Sequence, residues 1–193
     1  MKHWLAALAV LSGTHALLAR DADPPASLYH LDAALTDQAG KARGLDLYRG
    51  HPVLVTMFYA SCKATCPLIV DTLRVTEREL APAQRKELRV LMVSIDPARD
   101  TPQALQQLAT ERHIDTTRWT LARGDENTVR DIAALLNVQY RRLPSGEFSH
   151  STVIALLSPE GEVLANSGTL GHADPALLAK LRKADPGRQP GTR

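Results

Sequence analysis

The chain has 193 residues, 44% of them apolar, enough for one domain with a sizeable core and a short extension at each end. Its 23 basic and 21 acidic residues leave a net charge of +2 and are interspersed, so nothing in the charge pattern argues for nucleic-acid binding. Only two cysteines are present, Cys62 and Cys66.

Residues 1–19 read as a secretory signal peptide. Met1-Lys2-His3 is a short basic start, residues 4–11 are apolar, and Thr14-His15-Ala16 or Leu17-Leu18-Ala19 offers a small-residue exit. The alternative is an anchor helix holding the domain on the periplasmic side of a membrane. Its unbroken apolar run is only about eight residues, against the roughly 20 a span needs, so no strong membrane anchor is expected. Cleavage would give a soluble protein beginning near Leu17 or Arg20 in a compartment that permits disulfides, a bacterial periplasm. Residues 20–27, with Pro24-Pro25, read as a linker, 28–183 as the folded domain, and the basic, Pro/Gly-rich 184–193 as a flexible tail.

Residues 29–35 and 41–47, joined by a turn containing Gly40, predict a β-hairpin ahead of the main sheet. Residues 53–58 have the β-branched and aromatic character of a buried strand, and Ile69, Leu73, Thr76 and Leu80 then recur at helical spacing. Between them lies Cys62-Lys63-Ala64-Thr65-Cys66-Pro67. Pro67 suits the first helical position, which puts Cys66 near the N-cap, where backbone N–H groups and the helix dipole favour a thiolate. Residues 88–95 form a second buried strand, parallel to the first because a helix joins them.

Further along, Thr101 can cap and Pro102 open the next helix. A strand at 119–122, a helix starting at Asp125, a buried strand at 152–157 with His150 at its start, an antiparallel return at 162–165 and a helix from Pro175 complete the order. The prediction is an α/β, thioredoxin-like fold: a central mixed β-sheet flanked by helices on both faces, with an N-terminal β-hairpin. The thiols then lie beyond the carboxyl end of a strand, where open α/β sheets carry their sites.

Three chemistries suit two cysteines separated by three residues. A structural disulfide closing so short a loop constrains the unfolded chain little. A thioredoxin-type redox site has a spacing one residue shorter, and Ser149-His150-Ser151 stands where such proteins place a proline opposite the disulfide. A metal site is open because residues four apart on a helix lie about 5–6 Å apart at Cβ. Structural zinc wants four ligands, whereas two thiolates with few partners suit Cu(I), and an added imidazole suits Cu(II).

Among the histidines, His3 and His15 fall in the leader, His30 and His51 ahead of strands, His113 at a helix end and His172 in a loop. His150, in its polar triplet, reads on its own more readily as a hydrogen-bonded structural residue than as a ligand. Met57 and Met92 are soft donors placed inside predicted buried strands, hence core. Residues 96–102 read as a strand-ending turn and helix cap, or as a segment with a role beside the site.

Together these residues resemble the Sco/SenC family of exported, thioredoxin-fold copper proteins. The resemblance covers roughly residues 35–163. It rests on Leu35-Thr36-Asp37 with Gly40, the strand before the thiols, Cys62-x-x-x-Cys66-Pro67, Val93-Ser94-Ile95-Asp96-Pro97 with Arg99-Asp100-Thr101-Pro102, and His150-Ser151 before a strand and a Pro-x-Gly turn. It implies copper, Cu(I) or Cu(II), bound by Cys62, Cys66 and His150. It also implies a metallochaperone role, delivering copper to the dinuclear site of cytochrome c oxidase. The expected partners are the copper-site subunit of a terminal oxidase or another cuproprotein, and a copper donor protein.

Some relatives are instead thought to act as thiol–disulfide oxidoreductases that reduce the client's cysteines, with Cys62 and Cys66 as the reacting pair. Two positions depart from the family pattern. Lys63 replaces a proline and should lower the thiol pKa values; Ser149 replaces an acid that would have partnered the histidine.

Overall fold

The computed structural model describes residues 24, 26–63 and 65–184. The leader expected over 1–19 and all but the first residue of the expected tail lie outside them. The elements are β1 (Leu35–Asp37), β2 (Ala42–Arg43), β3 (Val53–Phe58), α1 (Thr65–Arg78), α2 (Pro82–Glu87), β4 (Arg89–Ser94), α3 (Pro102–Glu111), β5 (Trp119–Arg123), α4 (Glu126–Leu135), β6 (Tyr140–Arg142), β7 (Phe148–His150), β8 (Ile154–Leu157), β9 (Val163–Ser167) and α5 (Pro175–Lys183).

Among the described residues, seven strands form one mixed sheet in the order β2-β1-β5-β4-β3-β8-β9. β3, β4 and β5 run parallel, as the helical crossovers require, and β8 lies antiparallel on the other side of β3. Every residue of β3 and β8 is buried, so both faces of the sheet centre are covered, and this explains why both are apolar but for Thr56, whose hydroxyl donates to the Val153 carbonyl. The fold is thioredoxin-like, with β3 and β4 at its centre.

Helix starts follow local chemistry. Thr101 accepts the Ala104 N–H at 3.2 Å, with Pro102 opening α3. Asp125 accepts the Thr128 N–H at 2.7 Å to start α4, and Asp174 accepts the Ala176 and Leu177 N–H groups to start α5.

The N-terminal hairpin is real but shorter than expected. β1 begins only at Leu35, residues 28–30 form a 3-10 turn, and Asp37 folds the turn by accepting the Ala39 and Lys41 N–H groups. His150 departs further from expectation. It does not begin the last sheet strand but ends β7, which pairs only with β6 in a separate two-stranded hairpin; β8 starts four residues later.

Candidate metal centre

Cys62 and Cys66 are both thiols, with no disulfide between them. The chain leaves β3 at Phe58 and turns, the Cys62 N–H donating to the Tyr59 carbonyl at 3.2 Å. Helix α1 begins at Thr65, so Cys66 and Pro67 are its second and third residues; the expected start at Pro67 is corrected by two positions. In this first turn proline still costs nothing, because N–H groups there have no partner within the helix. The Cys66 N–H is one of these, and it donates to Cys62 Sγ at 3.3 Å. Cys62 therefore takes the capping place expected for Cys66, its sulfur facing an N–H of the first turn of α1.

Cys66 is held protonated. Burial, then a hydrogen bond to the Cys62 sulfur and the charges of Cys62 and Asp100, drive its thiol far above the usual range. The lowering expected from the helix dipole and Lys63 is therefore overturned at Cys66 by desolvation, while Lys63 itself is exposed on the loop. Beside the sulfurs lies a cavity of 20 Å³ lined by Cys62, Cys66, Tyr59, Pro67 and Met92, among others. It has room for about one water-sized occupant.

His150 is half-buried, and its Nδ1 donates to the Ser151 carbonyl at 3.1 Å. A carbonyl can only accept, so Nδ1 carries a proton, and in the neutral ring Nε2 is the nitrogen left for a metal or another donor. This carbonyl does what an acid at position 149 would do, holding the ring and fixing its tautomer. From the side of α4 the residue borders an open cleft of 1040 Å³.

Tyr59 links His150 to the thiols. Its ring meets His150 edge-on at 6.1 Å between centroids and packs on Phe148 at 5.5 Å, and its hydroxyl donates to Glu147 Oε2 at 2.7 Å. Burial, that hydrogen bond and the neighbouring Cys62 sulfur all hold the phenol protonated.

The structure thus brings Cys62 and Cys66 together and sets His150 across one aromatic ring from them. Among the described residues, no three His, Cys, Asp or Glu side chains are gathered closely enough to hold a metal ion. Met57 and Met92 are buried in the core, Met92 forming part of the cavity wall. Two sulfurs beside a single-ion cavity fit a soft, low-coordinate ion, which is the chemistry of Cu(I).

Several residues at the site escaped the sequence reading. Tyr59 had a signal, its place between a buried strand and the thiols. Glu147 and Arg142 had none, because their partners lie 88 and 46 residues away.

Relatives share both sequence and shape with this chain. The SCO1 protein homolog of Bacillus subtilis is 24% identical over 131 residues, 66% of this chain and 67% of that one. The copper-bound ScoI structure of Arabidopsis thaliana superposes with a TM-score of 0.66 at 20% identity, covering 79% of this chain and 93% of that one. BsSco, in which a disulfide switch is described, superposes with a TM-score of 0.66 at 21% identity, covering 79% and 90%. At such identities the superpositions speak for the fold. Residues 23–184 match the SCO1/SenC family profile, and the chain belongs to the SCO1/SenC family.

Proposed function

We propose that this protein is a periplasmic copper-binding accessory protein that delivers copper to the dinuclear copper site of cytochrome c oxidase. Copper is its cargo, held by Cys62 and Cys66 with His150 as third ligand. The observation that carries this reading is the pair of thiols at the start of α1 against a cavity of 20 Å³, with an imidazole lone pair available across Tyr59. Its support includes the copper-bound ScoI and the description of BsSco as a member of a family of cytochrome c oxidase assembly proteins. Cu(I) on two thiolates passes to an acceptor by stepwise ligand exchange, each sulfur released as an acceptor ligand replaces it. The export signal in residues 1–19 supports the periplasmic placement, and a mature chain beginning near Leu17 or Arg20 by mass spectrometry would test it.

The copper assignment is tested by competition titration of the reduced protein with Cu(I). One ion per chain is expected, with binding lost in both Cys62→Ser and Cys66→Ser. Undiminished binding in either variant would overturn the ligand set.

A second reading, reduction of a client disulfide, is favoured by the hydrogen bond from Cys66 to Cys62. Cys62 thiolate attacks one client sulfur, forming a mixed disulfide and expelling the other client sulfur as thiolate. Cys66 then gives up its proton and attacks Cys62. A Cys62–Cys66 disulfide forms, and the client sulfur held in the mixed disulfide leaves, taking the proton as a thiol.

A further inference from the structure

Two carboxylates four residues apart, Asp96 and Asp100, reach in two directions from the loop after β4. Asp100 Oδ2 accepts the Ala60 N–H at 2.9 Å and the Ser94 hydroxyl at 2.5 Å, so it fastens the backbone that leads into Cys62. Asp96 faces the hairpin. Its side chain is fully buried, one oxygen accepting from Arg99 Nε and the other from Arg142 Nη2 at 3.0 Å. Arg142 belongs to β6, the strand paired with β7, and lies directly opposite Phe148. Arg99 carries the grip on to the hairpin turn, donating to the Gly146 carbonyl at 2.6 Å.

Helix capping does not account for these acids. α3 is started by Thr101 and Pro102 without help from either. A fully buried carboxylate is costly unless paired, and the two arginines that pair Asp96 are about half-exposed, at 44% and 53%. The hairpin, for its part, is a pair of three-residue strands outside the central sheet. Two such strands alone are marginal in water, so its position is set by what it docks on.

We propose that residues 96–100 form a clamp that positions His150 against the thiol loop, with Arg142 carrying the hold into the hairpin. Asp96 and Arg142 act through His150 and touch no copper, so they are positioning residues. The clamp's functional meaning rests on the copper reading above, whereas its mechanical effect does not. Releasing Arg142 leaves His150 to be ordered at the moment of binding, which weakens any complex that uses the imidazole. A complex held by two thiolates alone is unaffected.

The test uses Arg142→Ala, a substitution at an exposed side chain, alongside Arg142→Lys and both His150→Ala and the double variant. Hydrogen exchange of the metal-free protein should quicken in Arg142→Ala over residues 140–150 and not in the central sheet. Cu(II) affinity should fall roughly tenfold, the lower end of what loss of an outer partner costs, with the thiolate-to-copper band moving toward that of His150→Ala. Cu(I) affinity should hold, Arg142→Lys should restore both signals, and in the His150→Ala background the Arg142 effect should vanish. Unchanged exchange in the hairpin overturns the clamp, as does a Cu(II) loss that persists without His150. If the wild-type protein shows no His150-dependent copper band, the copper reading falls. The metal-free exchange then still decides the clamp, quickened exchange upholding it and unchanged exchange refuting it.

Discussion

At Cys66, burial and the neighbouring sulfur act in the same direction, holding the thiol protonated well above neutral pH. A metal takes the thiolate, so binding must expel that proton. The sign follows directly. Because the Cys66 pKa is raised in the folded protein, the proton competes with metal throughout the neutral range, and affinity rises with pH, by up to about tenfold per unit for each proton released. Cu(I) titrations from pH 6 to 8 should show this slope, with proton release in a weakly buffered solution. A pH-independent affinity would mean that Cys66 is not a ligand. If the protein exchanges disulfides, Cys62, half-exposed and capping α1 while Cys66 is buried, is the sulfur expected to attack first. The spacing of the two cysteines was plain in the sequence. Which of them is buried was not, because it depends on where α1 begins and on the packing of Tyr59, Val70 and Met92 around the sulfurs.

Among the elements, those set by neighbouring residues were the legible ones. β3, β4 and β8 are mostly apolar because both faces are covered, and α3, α4 and α5 start at Thr101, Asp125 and Asp174, whose side chains bond only a few residues ahead. Helix α2 gave no signal because it buries no residue. It is held by Arg85, which donates to the Glu77 and Leu80 carbonyls at the end of α1. Of the β6–β7 hairpin only the Pro144-Ser145-Gly146 turn was legible, since its six strand residues are half-buried or exposed and its anchors, Asp96 and Tyr59, are distant in sequence.

The far end of α1 carries a prediction of its own. Glu77 Oε1 accepts from Arg118 Nη1 at 2.7 Å and from the buried Trp119 indole N–H at 3.0 Å, tying the helix to β5. Glu77→Ala strands the buried indole donor, while Arg118 keeps Asp115 and the Arg85 carbonyl as partners, and should cost about 2 kcal/mol. Urea denaturation measures this, and the folded variant should keep the wild-type copper behaviour. A loss below about 1 kcal/mol would show that water replaces the carboxylate there.

For the molecule as a whole, the sheet centre is the rigid part and the site sits at its edge. β3 delivers the thiol loop and β4 delivers Asp96 and Asp100, so two adjacent parallel strands end at the same place and fix the loop that both serve. The imidazole comes from outside this frame, on the hairpin between α4 and β8. On the proposed reading, a pair of thiols on the sheet and a histidine on a separate support suit a protein that takes up an ion and surrenders it, because the histidine could be given up while the thiols stay in place. This division of labour makes His150 the decisive residue. The most direct measurement is titration of the reduced mature protein with Cu(II), followed by visible absorption, in wild type and His150→Ala. A thiolate-to-copper charge-transfer band that saturates at one ion per chain, and is lost or shifted in His150→Ala, is the predicted result. A flat visible spectrum from a protein whose thiols exchange readily with a client disulfide would contradict the copper assignment and leave the reductant in its place.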